Sequence, residues 1–224
     1  MMNVRILRKG ERRNLPIVLS IFKNYLKNQN IQFCKTSEDG RVNSSLDEDI
    51  IINYLISKYP ERVYRPKVRM WYDIKVYDYR HGWIPVNIKT TTMSSPDNTA
   101  NLAMATYAYT NFKMDLDTNY SNGEMSRLLL DKLSSNNLNT CGRDYYFLVL
   151  NKKNPTDIII NSTRGLSHLT SNTHNLPFQV NWRRNRKYVY KPVDISLKLF
   201  LNCLGKCNMG WRENFISNIQ KIYT

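Results

Sequence analysis

The sequence predicts a mixed fold of the α/β or α+β class, because segments with strand and helix periodicity alternate along the chain. Residues 71–79 and 83–92 are rich in aromatic and β-branched side chains and flank a short Arg80-His81-Gly82 connection, which is typical of a β-hairpin. Two further strands are predicted at 145–150 and 157–160. Segments with helical spacing before and after the hairpin supply the predicted helices.

Two helices are predicted before the hairpin. The first covers 15–26, where apolar residues recur near helical spacing after Pro16. The second is expected to begin at Ser44 or Ser45, whose hydroxyl can cap it, and to end before Pro60. This start places three acidic residues in the first turn, where the helix dipole favours anions: Asp47, Glu48 and Asp49.

The rest of the chain after the hairpin is assigned from the same patterns. Residues 99–113 and 123–133 are compatible with helices, and Trp211, Phe215 and Ile219 are spaced four residues apart, which predicts a final helix. We expect all 224 residues to form one domain, since a single core seldom outgrows about 250–300 residues.

The charge of the chain indicates a polyanionic partner. Lys and Arg number 33 against 18 Asp and Glu, a formal charge of +15. Neutralised phosphates release counterions and so provide affinity that does not depend on sequence. No apolar run reaches the roughly 20 residues of a membrane-spanning helix, and the basic N-terminus leads into no apolar signal-peptide core. We therefore expect a soluble, cytoplasmic protein with no membrane partner and no nucleotide cofactor.

A candidate catalytic cluster lies in the predicted hairpin. Strand periodicity sends Val86 and Ile88 to one face and Asn87 and Lys89 to the other, and Asp73 projects from the polar face of the preceding strand. Phosphodiester hydrolysis needs a carboxylate that holds a divalent ion and a cation near the nucleophile, which are tasks that suit Asp73 and Lys89. Oxygen ligands without thiolate or imidazole partners favour Mg²⁺ over zinc.

The same two strands carry a resemblance to a known family. The stretch from Trp71-Tyr72-Asp73 to Val86-Asn87-Ile88-Lys89-Thr90-Thr91 resembles the catalytic segment of blunt-cutting type II restriction endonucleases of the PD-(D/E)XK superfamily, the EcoRV- and HincII-like branch. In that segment a strand-borne Asp is followed by Asp-x-Lys and hydroxyl residues. In this chain Asn87 stands in place of the usual acid, and Tyr72 in place of Pro.

The resemblance implies a fold and an activity. The fold would be a restriction-endonuclease-like core, a central mixed β-sheet flanked by helices, over about residues 44–160. The activity would be that of a Mg²⁺-dependent homodimer that cuts a palindromic, AT-rich site in double-stranded DNA to leave blunt ends. A homodimer suits a palindrome because a twofold axis places one active site on each strand.

The resemblance also assigns catalytic residues. The helical segment 48–55 is similar to an early helix of that family whose acidic residue faces the metal, and Glu48 is the match. The implied catalytic set is Asp73, Asn87, Lys89 and Glu48, of which all but the lysine are metal ligands. Asp47 and Asp49 are less favoured replacements for Glu48.

Three segments are candidate DNA contacts. Residues 178–193, which carry five basic residues and no acidic one, fall where such enzymes place a major-groove recognition loop, and Asn181-Trp182 is similar to an Asn-Trp sequence there. Arg, Lys and Asn can read base edges or bind phosphates. The candidates in this loop are Asn181, Arg183, Arg184, Asn185, Arg186 and Lys187. Contacts to backbone phosphates are assigned to Arg65, Lys67 and Arg69, and further DNA contacts to Thr90 and Thr91.

Two other functions remain open from the sequence. Another nuclease with the same core, such as a junction resolvase or a repair nickase, would share the catalytic residues but would not need the loop at 178–193. A non-catalytic DNA- or RNA-binding protein would use the same charge, although no helix-turn-helix, zinc-finger or RNP-type pattern supports it.

Overall fold

A computed structural model of the chain describes residues 14–34, 40–68, 70–99, 101–171, 178–204, 217–218 and 221, with residues 40–42 described as backbone only. The helices within these ranges are α1 (Ile17–Lys27), α2 (Gly40–Lys58), α3 (Leu102–Tyr109), α4 (Asn122–Ser134) and α5 (Val193–Leu204), together with a 3₁₀ turn at Thr163–Gly165. Residues 217, 218 and 221 are also helical. In the part of the chain covered by these ranges, no helix combines the length and the apolarity needed to cross a membrane.

The strands form two sheets. Their bounds are β1 (Val63–Tyr64), β2 (Ile74–Asp78), β3 (Gly82–Thr91), β4 (Asp97–Asn98), β5 (Tyr146–Asn151), β6 (Asn154–Ser162), β7 (Leu169–Thr170) and β8 (Gln179–Val180). The main sheet has the order β1-β2-β3-β5-β6, in which only the β3–β5 pair is parallel. The second sheet has the order β4-β8-β7 and is antiparallel. The predicted mixed fold, a mixed β-sheet with flanking helices, is therefore confirmed.

Apolar side chains cover both faces of the main sheet. On one face Val86, Ile88 and Leu148 pack with the buried sides of α1 and α2. On the other face Phe147 and Val149 pack with α3, α4 and α5. Burial of the central strand β5 on both faces explains its continuous apolar sequence, which is typical of a strand between two helical layers.

The predicted hairpin is confirmed as β2 and β3. Gly82 has a φ of 70°, a conformation that glycine adopts without steric cost, and this residue ends the turn. Asp78 closes the turn by accepting the backbone N–H groups of Arg80 and His81 at 2.9 and 3.1 Å. Its second oxygen accepts the N–H of Val18 at 3.1 Å, which attaches the turn to the start of α1.

The predicted start of the second helix is wrong. The helix α2 begins at Gly40, so that Ser44 and Ser45 lie inside it and Asp47, Glu48 and Asp49 stand near its middle. Tertiary contacts hold this longer helix: Asp47 is fully buried, its carboxylate accepts the backbone N–H of Cys34 at 2.6 Å, and it forms an ion pair with Lys152 at 2.7 Å. Such contacts outweigh the weak local preference for a serine cap.

The helices after the hairpin agree with the sequence-based predictions only in part. α4 agrees with the prediction, whereas α3 is shorter than predicted, begins after the Asn101 cap and is buried along its whole length. The helix α5, which begins at Val193, was not predicted. Trp211, Phe215 and Ile219, the basis of the predicted final helix, lie outside the described residues.

Candidate active site

The hairpin register brings Asp73 next to Asn87. Ile74 pairs with Val86 in the antiparallel ladder, and the N–H of Asp73 donates to the carbonyl of Val86 at 3.1 Å. The Asp73 carboxylate turns back across the hairpin, where its Oδ2 accepts the N–H of Ile88 at 2.7 Å. This bond fixes the orientation of the carboxylate, and the strand register therefore produces the arrangement that the alternating pattern predicts.

Lys89 joins β3 to α2. Its Nζ lies 3.2 Å from Oε1 of Glu48, and the two side chains keep 24% and 17% of their surface exposed. The Glu48 carboxylate also accepts the backbone N–H of Thr90. Glu48 is thus the acidic residue of α2 that reaches the hairpin, and a small molecule or a phosphate can still approach the pair.

The neighbouring acids of α2 pair with other residues, although the charge of Asp49 also acts on Asp73. Asp47 points into the protein toward Cys34 and Lys152. Asp49 is half-exposed and pairs with Arg65. Of the three acids that the sequence left as candidates, the structure places Glu48 beside Lys89.

A cavity of about 330 Å³ opens beside this cluster. Three acids line it, Glu48, Asp49 and Asp73, and so do Arg65 and Lys67 from the segment that precedes the hairpin. The cavity therefore has acidic groups and basic groups on its walls.

Asn87 presents a buried acceptor on the same strand. Its side chain forms a hydrogen bond with the hydroxyl of Tyr145, which itself donates to the carbonyl of Trp71 at 3.0 Å. Since the Tyr145 proton is used in that second bond, the Asn87 amide N–H donates to Tyr145. Within the described residues, Oδ1 of Asn87 is buried without a hydrogen-bond partner.

The two acids of the cluster, Glu48 and Asp73, have raised pKa values because burial limits their contact with water. Burial raises the pKa of Glu48 to about 7, Lys89 opposes the shift and Asp73 adds to it. Burial likewise raises the pKa of Asp73, against the opposing effects of Lys89 and the Ile88 N–H. For Lys89, burial favours the neutral amine, but the combined carboxylates of Glu48, Asp73 and Asp97 outweigh it and raise its pKa. Lys89 is therefore a cation in this arrangement.

Asp97 is an acidic residue near this cluster that the sequence analysis missed. Its carboxylate accepts the hydroxyl of Thr91 and acts on the charge of Lys89. Its Oδ2 is buried and has no hydrogen-bond partner among the described residues. Asp97 stands in β4, which pairs with β8, so its contact with Thr91 joins β3 to the smaller sheet. No local pattern marks Asp97 as a site residue, because it follows Ser94, Ser95 and Pro96 in a turn-rich segment.

The residues of the cluster fit a hard divalent cation. The described residues contain no group of three or more His, Cys, Asp or Glu side chains that could hold a metal ion. Glu48 and Asp73 offer carboxylate oxygens at the cavity, and Asn87 carries an unpartnered, buried amide oxygen in the same hairpin as Asp73. Mg²⁺ commonly binds through one or two carboxylates and takes its other ligands from water and phosphate, so this set suits Mg²⁺ better than zinc.

The predicted recognition loop is only partly a loop. Its first residues form β8, and Trp182 is fully buried against Phe147. Arg183, Arg184 and Lys187 are exposed, whereas the side-chain oxygen of Asn181 accepts the backbone N–H of Arg184 at 3.2 Å. Arg183, Arg184 and Lys187 thus remain open to solvent.

Two members of that segment have structural roles. Asn185 is 1% exposed, and its amide bonds to the backbone of Ser167, His168 and Asn181. The prediction that Asn185 contacts DNA is corrected, because its side chain is used within the protein. Arg186 is exposed but is held by two hydrogen bonds to the Asp157 carboxylate, at 2.7 and 2.6 Å.

Of the other residues predicted to contact DNA, some are buried and some are exposed. Thr90 and Thr91 are buried: the Thr90 hydroxyl donates to the Ser44 carbonyl at 3.4 Å and the Thr91 hydroxyl accepts the Met93 N–H at 3.0 Å. The prediction that they touch DNA is corrected for the same reason. Arg65 and Lys67 are exposed at the active-site cavity, and Arg69 lies outside the described residues.

Comparisons of the chain with protein-family models, with curated proteins and with solved structures found no match.

Proposed function

We propose that the protein is a Mg²⁺-dependent DNA endonuclease whose active centre is Glu48, Asp73, Asn87 and Lys89. The observation that carries the proposal is the position of the two acids: Glu48 and Asp73 line one cavity with Arg65 and Lys67, and Glu48 pairs with Lys89. Asn87, with its unpartnered amide oxygen, follows Val86, whose carbonyl accepts the Asp73 N–H. Perturbed acids beside a cation in a cleft are typical of catalytic sites.

Each side chain has a distinct role in the proposed reaction. Asp73, oriented by the Ile88 N–H, and Glu48 would hold the metal ion together with the amide oxygen of Asn87. When bound, Mg²⁺ neutralises charge on the scissile phosphate and lowers the pKa of a bound water. Lys89, which is positively charged, stabilises the negative charge that develops on the phosphate oxygens.

Tyr145 and α2 position these groups. The Tyr145 hydroxyl accepts the Asn87 N–H and so directs the amide oxygen away from itself. The Thr90 N–H binds the Glu48 carboxylate and keeps it beside Lys89. Burial of both acids strengthens their interaction with a cation, because Coulomb energies grow as the local dielectric constant falls.

The proposed substrate follows from charge. A net charge of +15 favours a polyanion, and Arg65, Lys67, Arg183, Arg184 and Lys187 are exposed cations on segments near the hairpin or next to β8. Together with the hairpin motif, these features support assignment to the PD-(D/E)XK type II restriction endonucleases, with a homodimer cutting a palindromic site. A restriction-endonuclease-like core and blunt ends are parts of the same proposal.

Plasmid cleavage tests the proposed function. The purified protein is incubated with a plasmid in Mg²⁺ or in excess chelator, and the ends are mapped by sequencing. We expect cuts at one short sequence, in both strands, only with Mg²⁺. Cleavage restricted to branched DNA would instead indicate a junction nuclease, and DNA binding that Mg²⁺ leaves unchanged, without any cleavage, would refute the enzymatic assignment.

A further inference from the structure

Four aromatic side chains on β1, β2 and β3 and in the turn between the last two form an exposed aromatic row. Tyr64, Tyr77, Tyr79 and Trp83 keep 46%, 36%, 77% and 42% of their surface exposed. None of the four belongs to either cluster of the hydrophobic core. Single exposed aromatic residues are ordinary on a protein surface, whereas contiguous ones mark a site of interaction. Packing of the described core does not account for the aromatic row.

Contacts between rings and a lysine join the aromatic row into one surface. Tyr77 pairs with Trp83 in the β2–β3 ladder, and their ring centres lie 5.6 Å apart. The ring centre of Tyr79 lies 5.9 Å from that of Tyr77. Nζ of Lys75 lies 4.4 Å from the ring centre of Tyr64 and 5.5 Å from that of Trp83. The four rings are therefore contiguous and not scattered.

Two arginines stand beside the aromatic row without an acidic partner. The guanidinium carbon of Arg62 lies 4.8 Å from the ring centre of Tyr79, and its Nη2 donates to the Tyr79 hydroxyl at 2.8 Å. Arg80 follows Tyr79 in the turn and is exposed. Among the described residues, neither guanidinium forms an ion pair with an acid. Both cations are available to an anionic ligand on the rings.

The acids near Trp83 are balanced by lysines. Lys75 pairs with Asp117 at 2.6 Å, so these two charges offset each other. The cavity beside Trp83 has as many lysines as aspartates: Lys75 and Lys113, Asp115 and Asp117. Arg62 and Arg80 therefore determine the sign of the charge at this end of the aromatic row.

Positive charge continues from the aromatic row to the active-site cavity. Tyr64 lies in the segment 61–67, where Arg62, Arg65 and Lys67 stand against one acid, Glu61. Arg65 pairs with Asp49, and the stretch still keeps a net positive charge. Arg65 and Lys67 also line the active-site cavity. A strand bound on the rings therefore has a basic path along β1 toward that cavity.

We propose that the aromatic row binds single-stranded nucleic acid. Proteins that bind single strands without sequence preference combine flat rings, on which successive bases stack, with cations that follow the phosphates. The four rings supply the first element, and Arg62 and Arg80 supply the second. A duplex keeps the faces of its bases within its own stack, so the row selects unpaired nucleotides. The proposal goes beyond the proposed endonuclease and does not depend on it, because stacking needs neither metal nor cleavage.

Fluorescence anisotropy with the full chain in excess chelator tests the proposal. The probes are an end-labelled oligothymidine and an abasic strand of the same length, which has the same phosphates but no bases. We expect the oligothymidine to bind at least about fivefold more tightly, or about 1 kcal/mol, because stacking strengthens binding by this much or more per base. A duplex of the same length should gain nothing from the rings.

Substitutions locate the binding to the aromatic row. Trp83→Ala and Tyr79→Ala should each weaken oligothymidine binding by about fivefold or more and leave the affinity for the abasic strand and for the duplex unchanged. Ile195→Ala is the matched control, since Ile195 is a 49% exposed apolar residue on α5, and it should change none of the affinities.

Equal affinity of the wild type for the two single strands would overturn the proposal, since phosphate contacts alone would then explain binding. Unchanged oligothymidine affinity in both variants would also overturn it. If the variants do not fold, as judged by circular dichroism, the comparison of the two strands on the wild type decides.

The other occupant that such rings can take is a second copy of the chain, and analytical ultracentrifugation separates the two. If Trp83→Ala changes the oligomeric state but not the affinity for oligothymidine, the aromatic row is a subunit interface and the proposal is wrong. Asp73→Asn should bind oligothymidine like the wild type. A failure of the proposed nuclease activity therefore leaves these binding results unaffected.

Discussion

Asn87 is the position at which the proposed active site departs from the restriction-endonuclease pattern that the hairpin resembles, and its substitution gives the sharpest prediction. Asn87→Ala removes the unpartnered oxygen Oδ1 and the hydrogen bond to Tyr145. Losing one ordinary hydrogen bond costs about 1 kcal/mol of stability, and removing a buried unsatisfied acceptor returns a similar amount. The free energy of unfolding should therefore change little.

The rate of cleavage should change much more. Loss of one group that stabilises the transition state commonly costs about 3–4 kcal/mol, or 10²–10³-fold. Asn87→Asp should retain activity, because it keeps the shape and restores a carboxylate, with the Tyr145 proton turning from the Trp71 carbonyl to the new acceptor. Tyr145→Phe should lower the rate by about tenfold, or 1.4 kcal/mol, since the amide loses its orienting partner.

Single-turnover cleavage of one cognate duplex at saturating Mg²⁺ measures these rates, and chemical denaturation measures stability in parallel. We expect Asn87→Ala to be slow but stable and to bind cognate DNA normally. If Asn87→Ala cleaves as fast as the wild type, the amide oxygen has no part in the reaction. A loss of rate that only follows a loss of stability would show that Asn87 is structural.

Three further predictions concern metal, salt and sequence. Ca²⁺ should support specific binding without efficient cleavage, because it occupies oxygen sites but organises the attacking water poorly, and full cleavage in chelator contradicts this. The logarithm of the affinity for DNA, measured by fluorescence anisotropy, should fall linearly with the logarithm of the salt concentration, with a slope of about −0.9 per neutralised phosphate. An affinity that does not change with salt would show that the positive charge of the protein does not drive DNA binding. Arg183→Ala should lose about 1–3 kcal/mol of binding preference for cognate over random duplex. Arg186→Ala breaks two hydrogen bonds to Asp157 and should mainly lower the free energy of unfolding. If both variants lose the same preference for the cognate duplex, the assignment of Arg183 to sequence recognition is contradicted.

The hairpin and its polar face could be predicted because local rules determine them. Alternation of apolar and polar residues places Asn87 and Lys89 on one face, and Gly82 permits the turn. Once the two strands pair, Asp73 must stand next to Asn87. These features depend on strand periodicity and turn geometry, both of which can be read from a few neighbouring residues.

The contacts between distant segments could not be predicted in this way. Asn185 and Thr91 looked like DNA contacts because their residue types can bind DNA, but tertiary packing buries them. Asp97 reaches Lys89 through the pairing of β4 with β8, which no local pattern indicates. The start of α2 was misplaced because the burial of Asp47 against Cys34 and Lys152 outweighs the preference for a serine cap.

The central claim is that the Asp73 carboxylate is required for Mg²⁺-dependent hydrolysis of DNA. Single-turnover cleavage of one cognate duplex by Asp73→Asn tests it most directly, with Asp131→Asn as the matched control, since Asp131 is an exposed acid on α4 that pairs only with its neighbour Lys132 among the described residues. We expect Asp73→Asn to bind the duplex normally and to be nearly inactive at any Mg²⁺ concentration, and Asp131→Asn to cleave like the wild type. Cleavage by Asp73→Asn at the wild-type rate would place the active site elsewhere in the chain.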